Sequence, residues 1–302
     1  MSTITSTLSN EKGFSAFIRN HPLVSYFILA YGVMWFFISP MVIDALELAN
    51  VPDGLSLLSY ILSSLLGPTV AAFLVTNVLE GKEGMRVLLR RMFQFRAGVQ
   101  WYAVILIVPL VIWISAYNFL YDGVPFANLA ANPSLLLSIF LPGVLIGLLI
   151  PSIGEEPGWR GFALPRLQKQ YGPIIGTLIL GTLHGVWHLP ALLTPMFDPF
   201  TWSGFTHFVL TAIAATFLYT WVYNGSRGNV WIAIVLHASG NAATQLTSEL
   251  IPKDVELTGL LKVLDSGWIN FIAFSIVALI LLVLTRGTLG YRPERAEVDN
   301  LD

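Results

Sequence analysis

The chain has 302 residues, of which 55% are hydrophobic and only 11% charged, and its mean hydropathy is +0.70. A soluble domain carries about 25% charged residues, so this composition excludes an ordinary soluble globule and indicates a polytopic membrane protein. A net charge of −2 with no separate basic region offers nothing to a nucleic acid, and the absence of cysteine excludes disulfides and thiolate metal sites.

The first twenty residues are polar, without the early apolar core and small-residue cleavage site of a signal peptide. A bilayer core needs roughly 20 mostly apolar residues per helix. Eight such segments follow in order, at about 23–43, 56–78, 101–120, 135–153, 174–193, 204–223, 230–246 and 268–285. Short strands of alternating polarity, the mark of a membrane β-barrel, do not occur. The expected fold is therefore all-α: a single membrane domain over residues 1–302, a bundle of about eight transmembrane helices.

Between segments two and three, residues 79–100 interleave Met85, Val87, Leu88, Leu89, Met92 and Phe93 with arginines. This pattern predicts a basic amphipathic helix lying on an anionic leaflet. Lysine and arginine sit on one side of the predicted bundle. Lys12, Arg19, Lys82, Arg86, Arg90, Arg91, Arg96, Arg160, Arg166, Lys169, Arg227, Arg286, Arg292 and Arg295 share it; Lys253 and Lys262 stand opposite. Positively charged connections stay cytoplasmic, so both termini and the 154–173 connection are expected in the cytoplasm.

Ionisable groups at membrane depth are costly and are functional hypotheses by default. Three places carry them: Glu155, Glu156 and Arg160 at the end of segment four; His184 and His188 in segment five; His237 and Asn241 in segment seven. Residues four apart share a helix face, so Arg160 is offered to Glu156 and leaves Glu155 aimed elsewhere. His237 and Asn241 project together by the same rule. Pro157 predicts a kink or a fresh helix start between the glutamates and Arg160. Taken singly, each group has a bland reading, as interfacial acids or hydrogen-bonded bundle histidines. Taken jointly, an unpaired glutamate and two histidines on three helices form a base, or ligands, around a water. His207 and His21 fit interfacial positions. The pairs Gly143/Gly147 and Gly181/Gly185 are small-xxx-small faces, suited to close helix approach.

The HExxH zinc signature and the GxGD aspartyl element are absent, and "HASG" places His237 where a serine-type site needs glycine, which weighs against Ser239 as nucleophile. What remains is an ordered set: "EEPGWR" fits EExxxR, "HGVWH" takes the position of FxxxH, and "HASGN" fits HxxxN. This set resembles the CPBP family, the CAAX-processing and bacteriocin-processing membrane proteases also called Abi proteins, which include the eukaryotic Ras-converting prenyl endopeptidase. The resemblance covers about residues 135–246, the expected catalytic core. One departure stands in the second motif, where His184 replaces the aromatic; packing or a hydrogen bond is the favoured role.

The resemblance implies an intramembrane endopeptidase acting on a membrane-associated peptide or protein, of CAAX or leader-peptide type. In its glutamate version, Glu155 and His188 activate water, His237 and Asn241 stabilise the oxyanion, and Glu156 and Arg160 hold the acid; no cofactor is required. In its metal version, Glu155, His188 and His237 bind zinc. The surrounding sequence resembles prokaryotic members, which implies a plasma membrane. Rival readings are a proton- or ion-coupled transporter and an inactive immunity or scaffold protein. Depth is the difficulty: His188 lies 14 residues into segment five, roughly 21 Å, whereas Glu155 sits nominally at the cytoplasmic edge. Segment five is therefore expected to begin outside the hydrocarbon and segment four to end deeper, with a funnel open to the cytoplasm.

Overall fold

The computed structural model describes residues 13–197 and 199–293, so Lys12, Arg295 and the two chain termini lie outside the described residues. Among these residues the fold is helical throughout, with no strand. A short α1 (Phe14–Asn20) leads into α2 (Pro22–Ala45), α3 (Asp53–Met92), α4 (Val99–Leu120) and a short α5 (Val124–Ala131). Then come α6 (Leu141–Gly147), α7 (Ile153–Glu156), α8 (Leu164–Trp187), α9 (Trp202–Gly225), α10 (Val230–Leu250), α11 (Gly259–Val263) and α12 (Ile269–Leu284). All eight predicted segments fall on helix, and six helical stretches are long and apolar enough to cross a membrane. Segments four and five lie within one of those stretches, Leu136–Leu193. The more polar α10, which carries the third motif, is not among the six.

The bundle has two chemically distinct ends. At one end Asn229 donates to the carbonyl of Gln94, Asn224 exchanges hydrogen bonds with Gln168, and Gly225 packs under Trp101. Arg91, Arg166, Lys169, Arg227 and Arg292 line a groove there. At the other end Asn128 donates to the carbonyl of Leu250, and Tyr121 to Asp265. α3 is too long for one crossing and bends at Gly81, whose φ of 65° a side chain would strain. Beyond the bend Gly84, Leu88 and Met92 turn inward while Arg86, Leu89 and Arg90 are exposed, the period expected of an amphipathic helix.

The stretch from 136 to 193 departs from expectation. Residues 154–173, expected as a cytoplasmic connection, are a helical arm, and its first eleven residues are buried. The chain does not break at Pro157, where the turn widens to π-type spacing over Pro157–Ala163. Proline has no N–H for the carbonyl four residues back, and the hydroxyl of Thr69 on α3 donates to that carbonyl, Ile153 O, at 3.0 Å. The breaks fall elsewhere. Ile150 is extended (φ −153°, ψ 123°) before Pro151, as residues preceding proline prefer. Gly172 (φ 78°) then reverses the chain within α8, ahead of Pro173. The two arms of this hairpin touch at once: a Cβ on Gly176 would stand 2.9 Å from the backbone of Leu167.

Close approach of helices depends on glycine in three places. Gly143 and Gly147 meet Ala242 and Ala238 of α10, and Gly181 and Gly185 meet Ile213 and Val209 of α9, the two faces expected from the sequence. A third face is Gly154 and Gly158. Cβ atoms there would stand 1.9 Å from Ser64 O and 2.4 Å from Pro68 O, both backbone atoms of α3.

Candidate active site

The hairpin that reverses at Gly172 removes the difference in depth between the motifs. Glu155 lies 17 residues before the turn and His188 lies 16 after it, so antiparallel arms bring them level about 25 Å from the turn. The return arm is fixed from outside by α2. Tyr31 donates to Leu183 O, Trp35 donates to Trp187 O, and the indole of Trp187 donates to Ala30 O. α8 ends at Trp187, three residues before Pro190, which leaves His188 at its C-terminal cap.

Glu155 is buried and faces the return arm. Its Oε2 is 3.0 Å from His184 Nε2 and accepts from the indole of Trp159 at 3.3 Å. His188 Nδ1 lies 2.9 Å from the carbonyl of His184. A carbonyl only accepts, so Nδ1 carries the proton and a neutral ring keeps its lone pair at Nε2. His184 thus does both things expected of it, packing against Trp159 and bonding to the carboxylate.

Glu156 points to the other wall. Its Oε1 accepts from Arg160 at 3.0 Å and from His237 Nδ1 at 2.8 Å. Arg160 lies over the ring of Tyr219, 4.3 Å from its centre, and that ring also packs edge-on to His237. Unpaired charges in such surroundings would be prohibitive; here carboxylate, guanidinium and imidazole compensate one another. Asn241, one turn beyond His237 on α10, is exposed in the cavity.

Glu155, His188, His237 and Asn241 therefore line one cavity of about 300 Å³, whose remaining wall is largely apolar and includes Met34, Ile38 and Phe208. Glu156 and Arg160 sit behind that wall. Ser239 is fully buried and not part of the lining, and His207 packs on Trp268 away from the site. The donor atoms of Glu155, His184 and His188 lie within 4.8 Å of one another. His237, expected beside Glu155 and His188 in a metal set, falls outside that group and is bonded to Glu156. Trp159 and Tyr219 were not singled out from the sequence. Trp159 was within reach, since Glu155–Trp159 repeats the four-residue spacing of Glu156–Arg160.

Along the arm from Glu155 to Arg166 and along α10 from His237 back to Val230, the intervening Trp159, Phe162, Leu164 and Ile234 are at most 1% exposed and belong, with Tyr26 and Val230, to one packed apolar cluster.

Residues 137–243, which carry all three motifs, match the family model described as type II CAAX prenyl endopeptidase, Rce1-like. The resemblance read from the motifs is supported by this match, and the six apolar helices support an integral membrane protein. Among characterised relatives it is similar to CAAX prenyl protease 2 of Methanococcus maripaludis, with 23% identity over 262 residues, 84% of this chain and 91% of that protein.

Proposed function

We propose that the chain is an intramembrane endopeptidase of a prokaryotic plasma membrane, cleaving membrane-associated substrates of CAAX or leader-peptide type with a water activated by Glu155 and His188. One observation carries this reading: an acid and an imidazole on the 153–188 hairpin face an imidazole and an amide on α10 across one cavity. The name of the archaeal relative supports the same class of reaction. Buried apolar side chains beside the cavity, among them Trp159, Phe162 and Ile234, favour hydrolysis over an ion relay, which needs a polar path through the bundle.

The hydrogen bonds support the following roles. His188 offers the lone pair of Nε2, and the Glu155 carboxylate only accepts. A water between these two acceptors directs its hydrogens to them and turns an oxygen lone pair toward the carbonyl carbon of a bound peptide. As the C–O bond forms, the proton passes to the acid–imidazole pair, which later returns it to the leaving amine. Opposite, His237 donates its Nδ1 proton to Glu156. With the ring doubly protonated, Nε2–H and the Asn241 amide are the donors for the oxyanion, and Glu156 supplies the matching negative charge. Each such donor is worth about 3 kcal/mol in the transition state. Arg160 holds Glu156 in place from behind.

Two imidazoles and a carboxylate also suit a divalent metal, and Glu155, His184 and His188 fit one by donor type and spacing. When bound, such an ion polarises a carbonyl and acidifies water. The glutamate route is preferred because the Glu155–His188 pair performs the chemistry with groups already oriented. The test is cleavage of a quenched fluorescent peptide by the detergent-purified protein. Glu155→Gln is expected to lower the rate about 10²–10⁴-fold, the usual worth of a general base, and excess chelator to leave the wild-type rate unchanged. A Glu155→Gln variant as fast as wild type overturns the proposal.

A further inference from the structure

We propose that the basic groove is a binding site for an anionic phospholipid, whose phosphate lies among Lys169, Arg227 and Arg292 and whose acyl chains run along the apolar faces beside it. This site is separate from the catalytic cavity and does not depend on the protease reading.

The groove has a volume of about 690 Å³, more than twice that of the catalytic cavity. Its five basic residues come from four separate parts of the chain. Arg91 ends α3, Arg166 and Lys169 belong to the outgoing arm of the hairpin, Arg227 sits in the turn between α9 and α10, and Arg292 follows α12. Two carboxylates share the lining, and both are engaged. Glu80 accepts from Arg166 at 2.6 Å, and Glu83 pairs with Arg86, which is not part of the lining. Among the described residues, Lys169, Arg227 and Arg292 have no carboxylate within ion-pair distance. Cations gathered in this way repel one another, and a phosphate, which accepts several charge-assisted hydrogen bonds at once, relieves that repulsion.

The groove is also held in shape. Arg166 ties the arm to α3, Gln168 and Asn224 exchange hydrogen bonds between the arm and α9, and Asn224 donates to Leu289 O beyond α12. Walls fixed beforehand spare a ligand the cost of ordering them. Arg227 has a left-handed backbone, φ 62°, ahead of Gly228 at φ 72°. Glycine adopts that region freely and a side chain does so at a cost, yet an exposed arginine occupies it at the groove.

The surroundings favour a lipid over a soluble phosphate. The lining residues, at 76–91, 161–169, 223–228 and 290–292, flank the ends of the apolar segments at 78, 174, 223, 230 and 285, the level of lipid headgroups. Apolar side chains adjoin them: Leu89 on α3, Ile174 and Ile175 just past the turn, and Val283 and Leu284 at the end of α12 are all at least 37% exposed. A Cβ on Gly287, between α12 and Arg292, would stand 3.2 Å from Ile174, so these apolar faces meet beside the groove. Basic groups next to such a surface attract anionic lipid.

The test compares the wild-type chain with a Lys169→Gln/Arg227→Asn variant in detergent. Both positions are exposed, and asparagine tolerates the left-handed backbone, so the variant is expected to keep the wild-type thermal midpoint when no lipid is added. Phosphatidylglycerol in mixed micelles is expected to raise the wild-type midpoint, as a ligand bound by the folded state alone does, and phosphatidylcholine is not. The variant is expected to need roughly thirtyfold more phosphatidylglycerol for the same rise, at about fivefold for each basic group. An Arg292→Gln variant is expected to show the single fivefold loss, and it carries the test if the double variant fails to fold. Glycerol phosphate, the headgroup without its chains, is expected to have no effect. Equal responses to the two lipids, no response by the wild type, or variants that respond as the wild type does overturn the proposal. A rise with glycerol phosphate equal to that with phosphatidylglycerol overturns the lipid as the ligand in favour of a soluble phosphate. None of these readouts involves peptide cleavage, so they are independent of the Glu155→Gln test.

Discussion

Glu156 accepts from Arg160 on one side and from His237 on the other, and none of the three is more than 9% exposed. Removing one member of such a buried set leaves an uncompensated charge, which costs about 3–5 kcal/mol. Arg160→Met is therefore expected to lower the thermal midpoint in detergent sharply, and with it the yield of folded protein, even though Met fills much the same volume. Asn241 behaves differently, because it is exposed in the cavity and supports no neighbour. Asn241→Ala is expected to leave the thermal midpoint unchanged and to reduce kcat about 10²–10³-fold, as loss of an oxyanion donor does, with KM little altered; steady-state kinetics on the fluorescent peptide reads both. Much of this was legible in the residues. Four-residue spacing paired Glu156 with Arg160 and His237 with Asn241, and the structure agrees. The bond from His237 to Glu156 was not legible, because it joins positions 81 residues apart and no local spacing reports it.

At the scale of elements, membrane segments announce themselves by apolar run length, and each of the eight fell on helix. The arm from Ile153 to Tyr171 did not announce itself. Its two glutamates, Arg160, Arg166 and Lys169 read as a solvated connection, since hydropathy scores side chains singly. Burial of the first part is possible because Glu156, Arg160 and His237 compensate one another, and because Gly154 and Gly158 let the arm lie against the backbone of α3. That third small-xxx-small face overlaps the first sequence motif itself, "GEEPG". Gly158→Ala would drive a methyl group to 2.4 Å from Pro68 O, a backbone atom held within a helix. Overpacking of this kind costs typically 1–3 kcal/mol, occasionally more, and it would also shift the neighbouring glutamates. A lower thermal midpoint together with lost peptidase activity is the expected outcome. Gly32→Ala is the control: it adds a methyl group with nothing within 4 Å and should stabilise slightly, since alanine is the better helix former by about 1 kcal/mol.

Over the whole molecule, the hairpin turning at Gly172 does what a simple crossing could not. It runs from two acids to the turn at the basic end and brings two histidines back to their level. Tyr26, Trp159, Phe162, Leu164, Val230 and Ile234 belong to one buried apolar cluster packed with that hairpin. On the proposed function the chamber hydrolyses peptides and is no proton path, however many titratable groups line it. Proteoliposomes holding the wild-type chain should keep an imposed pH gradient, read with an entrapped dye, as long as protein-free liposomes do. A cell could then express such a hydrolase abundantly and still spend its proton-motive force on ATP synthesis and uptake.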